Sequence, residues 1–299
     1  MSSIAALHLT YTPDRINMID TMLDNRQADI IPSFENFLDR HSIFTLEELD
    51  DFLATHRTGN ANTRKSLLSY HKKRGRVLSI RRGFYASIPK GFDEQKYQVD
   101  PYLLAAKLAS DAILSHHTAL EVLGKAYSIT RKATYFSTSK VEPLQFQDMA
   151  YHRVRVPPEL TAREKEDFGT TIITRNGTDI QITGFERTMV DLLSRPDLAG
   201  GWEEIWRSLE SIEYFDLDTL YEYLLLLDNT TAFAKVGFYL EQHKDPLMVD
   251  EAFLQKLEQH KPKSLHYMQR QNRKDGTLLN RWNLLVPGEL LQRAWGDVI

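Results

Sequence analysis

The chain has 299 residues, 42% apolar and 26% charged, with a net charge of −4 and a pI near 6.2; such figures describe an ordinary soluble globular protein with room for about two domains. It contains no cysteine, which excludes disulfides, thiol catalysis and zinc sites built on thiolates and fits a reducing compartment. No run approaches the ~18 consecutive apolar residues of a membrane-spanning helix, and the opening MSSIAALHLTYTPDRINMIDTML lacks a basic n-region and a continuous apolar core, so the expected location is the cytoplasm.

Residues 1–31 read as an N-terminal appendage, with Ile16, Ile19 and Leu23 able to share one face of a short helix. A helix then starts near Pro32, with Phe34, Phe37 and Leu38 on one side at spacings of three and four. Thr45-Leu46-Glu47-Glu48 has the form of a capping box, the acid three residues after the cap, and opens a second helix with Leu46, Leu49, Phe52 and Leu53 inward. A turn at Thr58-Gly59-Asn60 leads to a third helix that runs to Arg74 and stops at Gly75.

On a wheel of about 100° per residue, Leu67, Leu68, His71 and Arg64 fall on one side of this third helix. Asn62, Ser66, Ser69 and Lys73 fall opposite, flanked by Thr63, Lys65, Tyr70 and Lys72. The leucines must face a core, so the far face is small, polar and basic. A DNA major groove admits such a helix, and short polar side chains let it approach base edges. Asn62 suits adenine and Lys73 suits guanine, while Ser66 and Ser69 discriminate less. Two alternating stretches follow, residues 76–80 and 84–88, joined at Arg81-Arg82-Gly83, where glycine supplies a positive φ. The arrangement predicts a winged helix-turn-helix over residues 32–93, with Arg81 and Arg82 at the tip of the wing.

Charge supports this reading. Between Phe52 and Phe92 stand ten basic residues (Arg57, Arg64, Lys65, Lys72, Lys73, Arg74, Arg76, Arg81, Arg82 and Lys90) and no acid, while the rest of the chain carries 27 basic and 41 acidic residues. A charge run is most often a solvated face. Here it coincides with helix period and hairpin chemistry, which favours phosphate as the counter-charge and duplex DNA over RNA. The expected DNA-binding set is Asn60, Asn62, Thr63, Arg64, Lys65, Ser66, Ser69, Tyr70, Lys72, Lys73, Arg74, Arg81 and Arg82.

Residues 89–98 read as a linker, and residues 94–299 as an α+β domain with a mostly antiparallel sheet and a helical half. Asp100-Pro101 opens a helix, as cap and first helical residue. Ser115 is expected to cap another, ended by Gly124. Residues 133–138 and 151–156 read as strands, and Asn176-Gly177 as the turn of a hairpin spanning residues 170–183. A helix over residues 184–193 places Arg187 and Asp191 four apart, the spacing of a surface ion pair. Helices then cover residues 202–212, 217–227, 232–242 and 250–260, with apolar stripes Trp202/Ile205/Trp206/Leu209, Tyr221/Leu224/Leu225 and Val236/Tyr239/Leu240 read as core. Lys261, Lys263, Arg270, Arg273 and Lys274 form a second basic patch, read as a solvated face. A turn at Asp275-Gly276 precedes a last strand over residues 282–286.

His116-His117 invites a metal reading, but adjacent helical residues do not converge on one ion and no partner spacing supports it, so a structural role is expected. Phosphate-loop, dinucleotide and nucleophile-elbow motifs are absent. No catalytic residue, metal or cofactor is expected. The rival from another class is a nuclease with a winged targeting domain, using Asp179 and Glu186 together with a lysine. A third is a scaffold whose helical half docks a protein.

Several stretches resemble the AbiEi family of bacterial type IV toxin–antitoxin and abortive-infection regulators: Leu68, Gly75-Arg76-Val77-Leu78 and Arg81-Arg82-Gly83-Phe84-Tyr85; Asp100-Pro101-Tyr102-Leu103-Leu104-Ala105; Ser115-His116-His117-Thr118-Ala119-Leu120; Glu186-Arg187-Thr188-Met189-Val190-Asp191-Leu192-Leu193 with Arg195-Pro196 and Ala199-Gly200-Gly201; and Arg281-Trp282-Asn283-Leu284. The resemblance spans about residues 35–295, and residues 1–31 depart from it. It implies a winged domain that binds inverted repeats in its own promoter and represses the operon. It also implies a second domain that serves antitoxicity and cooperative binding, the protein being monomeric in solution or paired on DNA. The partner it implies is a nucleotidyltransferase-like toxin encoded next door, without a stable complex being required. A lone regulator without a toxin fits the same residues.

Overall fold

The chain divides between Val99 and Asp100 into two compact units. The computed structural model describes residues 34–55, 61–269 and 276–292. The appendage over residues 1–31, the turn at Thr58-Gly59-Asn60, and Arg57, Arg270, Arg273, Lys274 and Asp275 lie outside the described residues.

The first unit runs α1 (Phe34–Arg40), β1 (Ile43–Thr45), α2 (Leu46–Thr55), α3 (Ala61–Lys73), β2 (Val77–Arg81) and β3 (Phe84–Ser87). The capping box at Thr45 forms as its spacing requires. The Glu48 amide donates to Thr45 Oγ1 at 3.1 Å and the Thr45 amide to Glu48 Oε2 at 2.8 Å. Gly75 (φ +65°) ends α3 and Gly83 (φ +81°) turns the hairpin. Strand β1 was not foreseen; three residues, Ile-Phe-Thr, are too few to show a period. It pairs antiparallel with β3, Phe44 opposite Tyr85, and makes a three-stranded sheet in the order β1-β3-β2. A lone hairpin is marginal in water, so this third strand matters to the hairpin's persistence. The three helices close over Phe34, Phe37, Leu38, Phe44, Leu49, Leu53, Leu68, Val77 and Tyr85.

The second unit begins with α4 (Pro101–Lys107), capped by Asp100, which accepts from the amides of Tyr102 at 3.0 Å and Leu103 at 3.2 Å. Then come β4 (Ile113–Leu114), α5 (His117–Val122), β5 (Lys132–Ser137), β6 (Leu144–Phe146), β7 (Met149–Arg155), α6 (Pro158–Thr161), β8 (Thr170–Arg175) and β9 (Thr178–Thr183). They continue into α7 (Phe185–Ser194), a 3₁₀ turn (Pro196–Leu198), α8 (Trp202–Glu210), α9 (Leu217–Leu227), α10 (Thr230–Gln242) and α11 (Glu251–Glu258). Last are β10 (His266–Tyr267), β11 (Gly276–Leu279), β12 (Leu284–Pro287) and α12 (Gly288–Gln292). Among the described residues no helix is long and apolar enough to cross a membrane.

The class is mixed α and β, and three of the five strand pairs in the large sheet are antiparallel, with two parallel pairs that the sequence did not announce. The order of that sheet is β6-β7-β5-β4-β9-β8, with β5/β7 and β4/β9 parallel and the other pairs antiparallel. The β5/β7 pairing follows from β6, a three-residue strand. It reverses the chain before β7, so that β7 returns alongside β5 in the same direction over six residue pairs. The β8–β9 hairpin forms at Asn176 (φ +48°) and Gly177 (φ +76°), the positive φ values that a two-residue turn demands.

Three local expectations are corrected. Ser115 does not cap α5; His116 holds that place at φ +55°, with Ser115 Oγ bonded to His116 Nδ1 at 2.9 Å. Leu225 is exposed, although Leu224 beside it is buried. The final strand starts at Leu284 rather than Trp282, and pairs with β10 and β11 in a second small sheet. Trp282 instead lies fully buried against Gly237 of α10, so closely that a β-carbon there would stand 2.2 Å from its ring.

The pair Arg187–Asp191 is not on the surface. Helix α7 lies inside the core, with Met189, Val190, Leu192 and Leu193 fully buried around it. Arg187 Nη1 donates to the carbonyls of Glu166 and Phe168, each at 2.7 Å, and Nε stands 3.6 Å from Asp191 Oδ2. The guanidinium also lies over the rings of Phe136 and Tyr223, at 5.0 and 5.4 Å. Burial pushes the Asp191 carboxyl up to about 6, against the pull of Arg187 and of the Tyr223 hydroxyl that donates to it at 2.7 Å.

Candidate nucleic-acid interface

Helix α3 buries Leu68 and His71, and Leu67 packs at the edge of the same core. Its opposite face exposes Asn62, Lys65, Ser66, Ser69 and Lys73, with Thr63, Arg64, Tyr70 and Lys72 half-buried on the flanks. Arg74, just past the helix, and Arg82, at the hairpin tip, are exposed, and Arg81 is half-buried. Asn60 lies outside the described residues.

The cations of this unit fall into two layers. In the inner layer, Arg76 is buried and donates to Glu35 Oε2 at 3.0 Å, to Asp39 Oδ1 at 2.8 Å and to the carbonyl of Ile88. Two cations nearer the surface are also claimed by acids: the exposed Lys90 lies 3.3 Å from Glu35, and the half-buried Arg64 pairs with Asp50. Arg64, expected at DNA, is therefore already held by a carboxylate of α2. These acids all precede Phe52, outside the acid-free run. Their signal was present, since Glu35 and Asp39 stand four apart on one face of α1.

In the outer layer, among the described residues, Lys65, Lys72, Lys73, Arg74, Arg81 and Arg82 meet no carboxylate within ion-pair distance. Aromatic rings position three of them without cancelling charge. Lys72 Nζ lies 4.6 Å from the Tyr85 ring, Arg74 lies 5.3 Å from the Tyr70 ring and donates to its hydroxyl, and Arg81 lies 5.0 Å from the Phe84 ring. A cation over an aromatic face keeps its protons directed outward and loses less freedom on meeting a phosphate.

His71 lies beneath this surface, packed on Phe34 with ring centroids 4.7 Å apart. Nδ1 stands 3.4 Å from Glu35 Oε1, and among the described residues neither ring nitrogen makes a hydrogen bond. Burial lowers its pKa to about 4; Glu35 opposes the shift, and Arg76 and Arg74 add to it. A histidine whose folded pKa is depressed contributes stability that is present above its unfolded pKa and is lost as pH falls toward the folded value. The unit should therefore lose about 2 kcal/mol between pH 7 and pH 5, at ~1.4 kcal/mol per pK unit. Amide hydrogen exchange of residues 34–99 at the two pH values measures this, and His71→Leu should remove the difference.

In the second unit His117 is buried between Glu204 Oε1 at 2.9 Å and Glu121 Oε1 at 3.2 Å. Burial alone would lower its pKa, but the two carboxylates outweigh it and the shift is upward. Its partners are thus side-chain carboxylates. Both acids are themselves occupied, Glu204 by Ser128 and Ser208 and Glu121 by Thr130 and Tyr102. The cluster ties α5, α8 and the following loops together. His116 packs on Phe136, and burial pushes its pKa down to about 3. Asp179 and Glu186, the acids considered for a nuclease, accept from Thr174 Oγ1 at 2.6 Å and from the Asp216 amide at 2.9 Å respectively. Lys261 of the second basic patch binds Glu258 at 3.1 Å and the Arg281 carbonyl at 2.7 Å. Among the described residues no group of three or more histidines and acids is arranged to hold a metal ion.

No known family model and no curated protein matches this chain. Among solved structures, it is similar to the crystal structure of the RV2827C protein from Mycobacterium tuberculosis, with a TM-score of 0.58 over 92% of this chain and 95% of that one. The sequence identity is 18%, so the likeness is one of fold.

Proposed function

We propose that the protein is a sequence-specific DNA-binding repressor that also acts as the antitoxin of a bacterial type IV toxin–antitoxin system. In this reading the first unit is a winged helix-turn-helix. Helix α3 is the recognition helix and the β2–β3 hairpin the wing. Asn62, Ser66, Ser69 and Lys73 face the major groove, and Lys65, Lys72, Arg74, Arg81 and Arg82 take phosphates. The observation that carries it is the outer layer of cations on α3 and the hairpin, left without carboxylate partners among the described residues while the acids of α1 and α2 pair with Arg76, Lys90 and Arg64. The antitoxin half rests on the AbiEi resemblance, which makes the functional counterpart a nucleotidyltransferase-like toxin encoded beside the gene.

A gel shift and footprint on the protein's own upstream DNA, with magnesium present, tests the first half. Protection of paired repeats without cleavage supports a repressor, and magnesium-dependent cleavage supports the nuclease instead. Rescue of growth from the neighbouring gene product tests the second half. In the same assay Arg81→Ala with Arg82→Ala should weaken binding to all sequences roughly ten- to a hundredfold at about 0.1 M salt and reduce the salt slope by about one to two. Unchanged affinity at fixed salt would remove the wing from the interface.

A further inference from the structure

The large sheet of the second unit ends at β8 on one side and at β6 on the other. A sheet edge is a row of backbone donors and acceptors that another strand can complete. The β8–β9 hairpin fixes which groups of β8 face outward. Its two-residue turn makes Arg175 and Thr178 a hydrogen-bonded pair, and bonded pairs recur at every second position, Ile173 with Ile180 and Thr171 with Ile182. The Gly184 amide, donating to the Gly169 carbonyl at 2.8 Å, continues the series. Thr170, Ile172 and Thr174 therefore aim their backbone N–H and C=O away from β9.

The Thr170 amide is used locally and donates to the Asp167 carbonyl at 3.2 Å. Among the described residues, the N–H and C=O of Ile172 and Thr174 meet no partner. Both residues are exposed, Ile172 to 68%. Solvent-facing edges are commonly blunted by lysine, proline, a bulge or shortness. Thr170 to Thr174 has none of these: all five residues are β-branched and uncharged, and they pair with β9 without a register shift. The other edge, β6, has only three residues. The one charge of β8, Arg175, is held by Asp100 at 2.6 Å.

We propose that β8 pairs with β8 of a second copy of this chain, antiparallel about a twofold axis at Ile173. Ile172 of each copy then stands opposite Thr174 of the other. Four backbone bonds form, and they use every open group of those two residues on both copies. Moving the axis to Ile172 would instead set the Thr174 carbonyl against the Thr170 amide, which is already bonded to Asp167. The side chains agree with this register. β-branched residues lie opposite one another, and Arg175 meets Thr171, so no like charges are opposed. The occupant is a second copy because the edge is self-complementary. The pairing also closes, since β8 meets β8 and the short β6 offers little to extend a filament. An edge of six residues is small, so the dimer is reversible. The inference concerns the second unit alone and does not depend on the DNA-binding reading.

Sedimentation equilibrium of the full chain without DNA tests it. The mass should rise from one chain toward two between about 1 and 500 μM. Ile172→Pro removes an outward donor at an edge position that tolerates proline. Ile172→Lys with Thr174→Lys sets lysines opposite each other across the axis, whereas Ile172→Glu with Thr174→Lys sets glutamate opposite lysine. Ile172→Pro and the double-lysine variant should weaken the dimer at least about tenfold, and the glutamate–lysine variant should retain it. The two double variants should keep the parent's thermal midpoint, and their comparison decides the matter if Ile172→Pro lowers it. Three results overturn the proposal: a monomer still at about 500 μM, a dimer that the double-lysine variant leaves intact, or a glutamate–lysine variant as weak as the double-lysine one.

Discussion

Arg187→Met should destabilise the second unit by about 3–5 kcal/mol, the cost of stranding one member of a buried ion pair. The side chain is fully buried, so water cannot replace it. Methionine fills similar volume but donates to nothing, which takes the donor from the carbonyls of Glu166 and Phe168 and the counter-charge from the Asp191 carboxylate. The deficit should depend on pH in a definite sense. The folded pKa of Asp191 is already raised to about 6 with the arginine present, so its contribution to stability is present below its unfolded value near 3.8 and is lost as pH rises through 6. Removing Arg187 deepens this, and the loss should be largest at pH 7–8 and shrink toward pH 5. Adding Asp191→Asn should recover much of it, because the amide oxygen still accepts from Tyr223. Urea unfolding followed by tryptophan fluorescence reads this unit, since all four tryptophans lie beyond residue 200. A single-variant loss below about 1 kcal/mol, or one that does not vary with pH, would refute this account of the pair.

Arg76→Ala should cost the first unit about 2–3 kcal/mol and, under the proposed function, weaken DNA binding without touching an outer-layer cation. The figure is lower than for Arg187 because Glu35 and Asp39 are 30% and 49% exposed and regain water when the arginine goes. It is nonetheless a large share of the stability of a unit this small, at roughly 0.05–0.15 kcal/mol per residue. The side chain joins α1 to the carbonyl of Ile88 just beyond β3, so its loss loosens the hairpin against the helices. Hydrogen exchange across residues 34–99 should accelerate, and restoring that protection with an osmolyte should restore DNA binding in parallel. Full protection with lost binding would instead make Arg76 a DNA contact.

The parts of this fold that a reader of the sequence could see are those determined by neighbours in the chain. The Thr45 box, the Asp100-Pro101 start, the Asn176-Gly177 turn and the helix Leu217–Leu227 all follow from chemistry within four residues. The short strands β1, β4, β6 and β10 were invisible because two or three residues carry no period. The parallel pairing of β5 with β7 depended on one of them. Helix α7 shows the other limit. Arg187 and Asp191 at i, i+4 look the same whether water or a core surrounds them, and only the full set of packed elements decides. At the candidate interface the wheel placed Leu68 and His71 inward and Asn62, Ser66, Ser69 and Lys73 outward, as observed. It could not show that Arg64 and Arg76 are claimed by acids more than ten residues earlier in the chain.

The seat of Trp282 against Gly237 has a consequence for synthesis. With no β-carbon at position 237, α10 carries a slot shaped for one indole and for little else. Until residue 282 has been made that slot is unfilled, and the apolar stretch of α10 around Gly237 lacks its indole partner. Nascent chains of this protein therefore carry an adhesive stretch late into translation. Any premature stop before Trp282 leaves that stretch permanently open, a natural handle for chaperones and proteases that recognise unfinished chains.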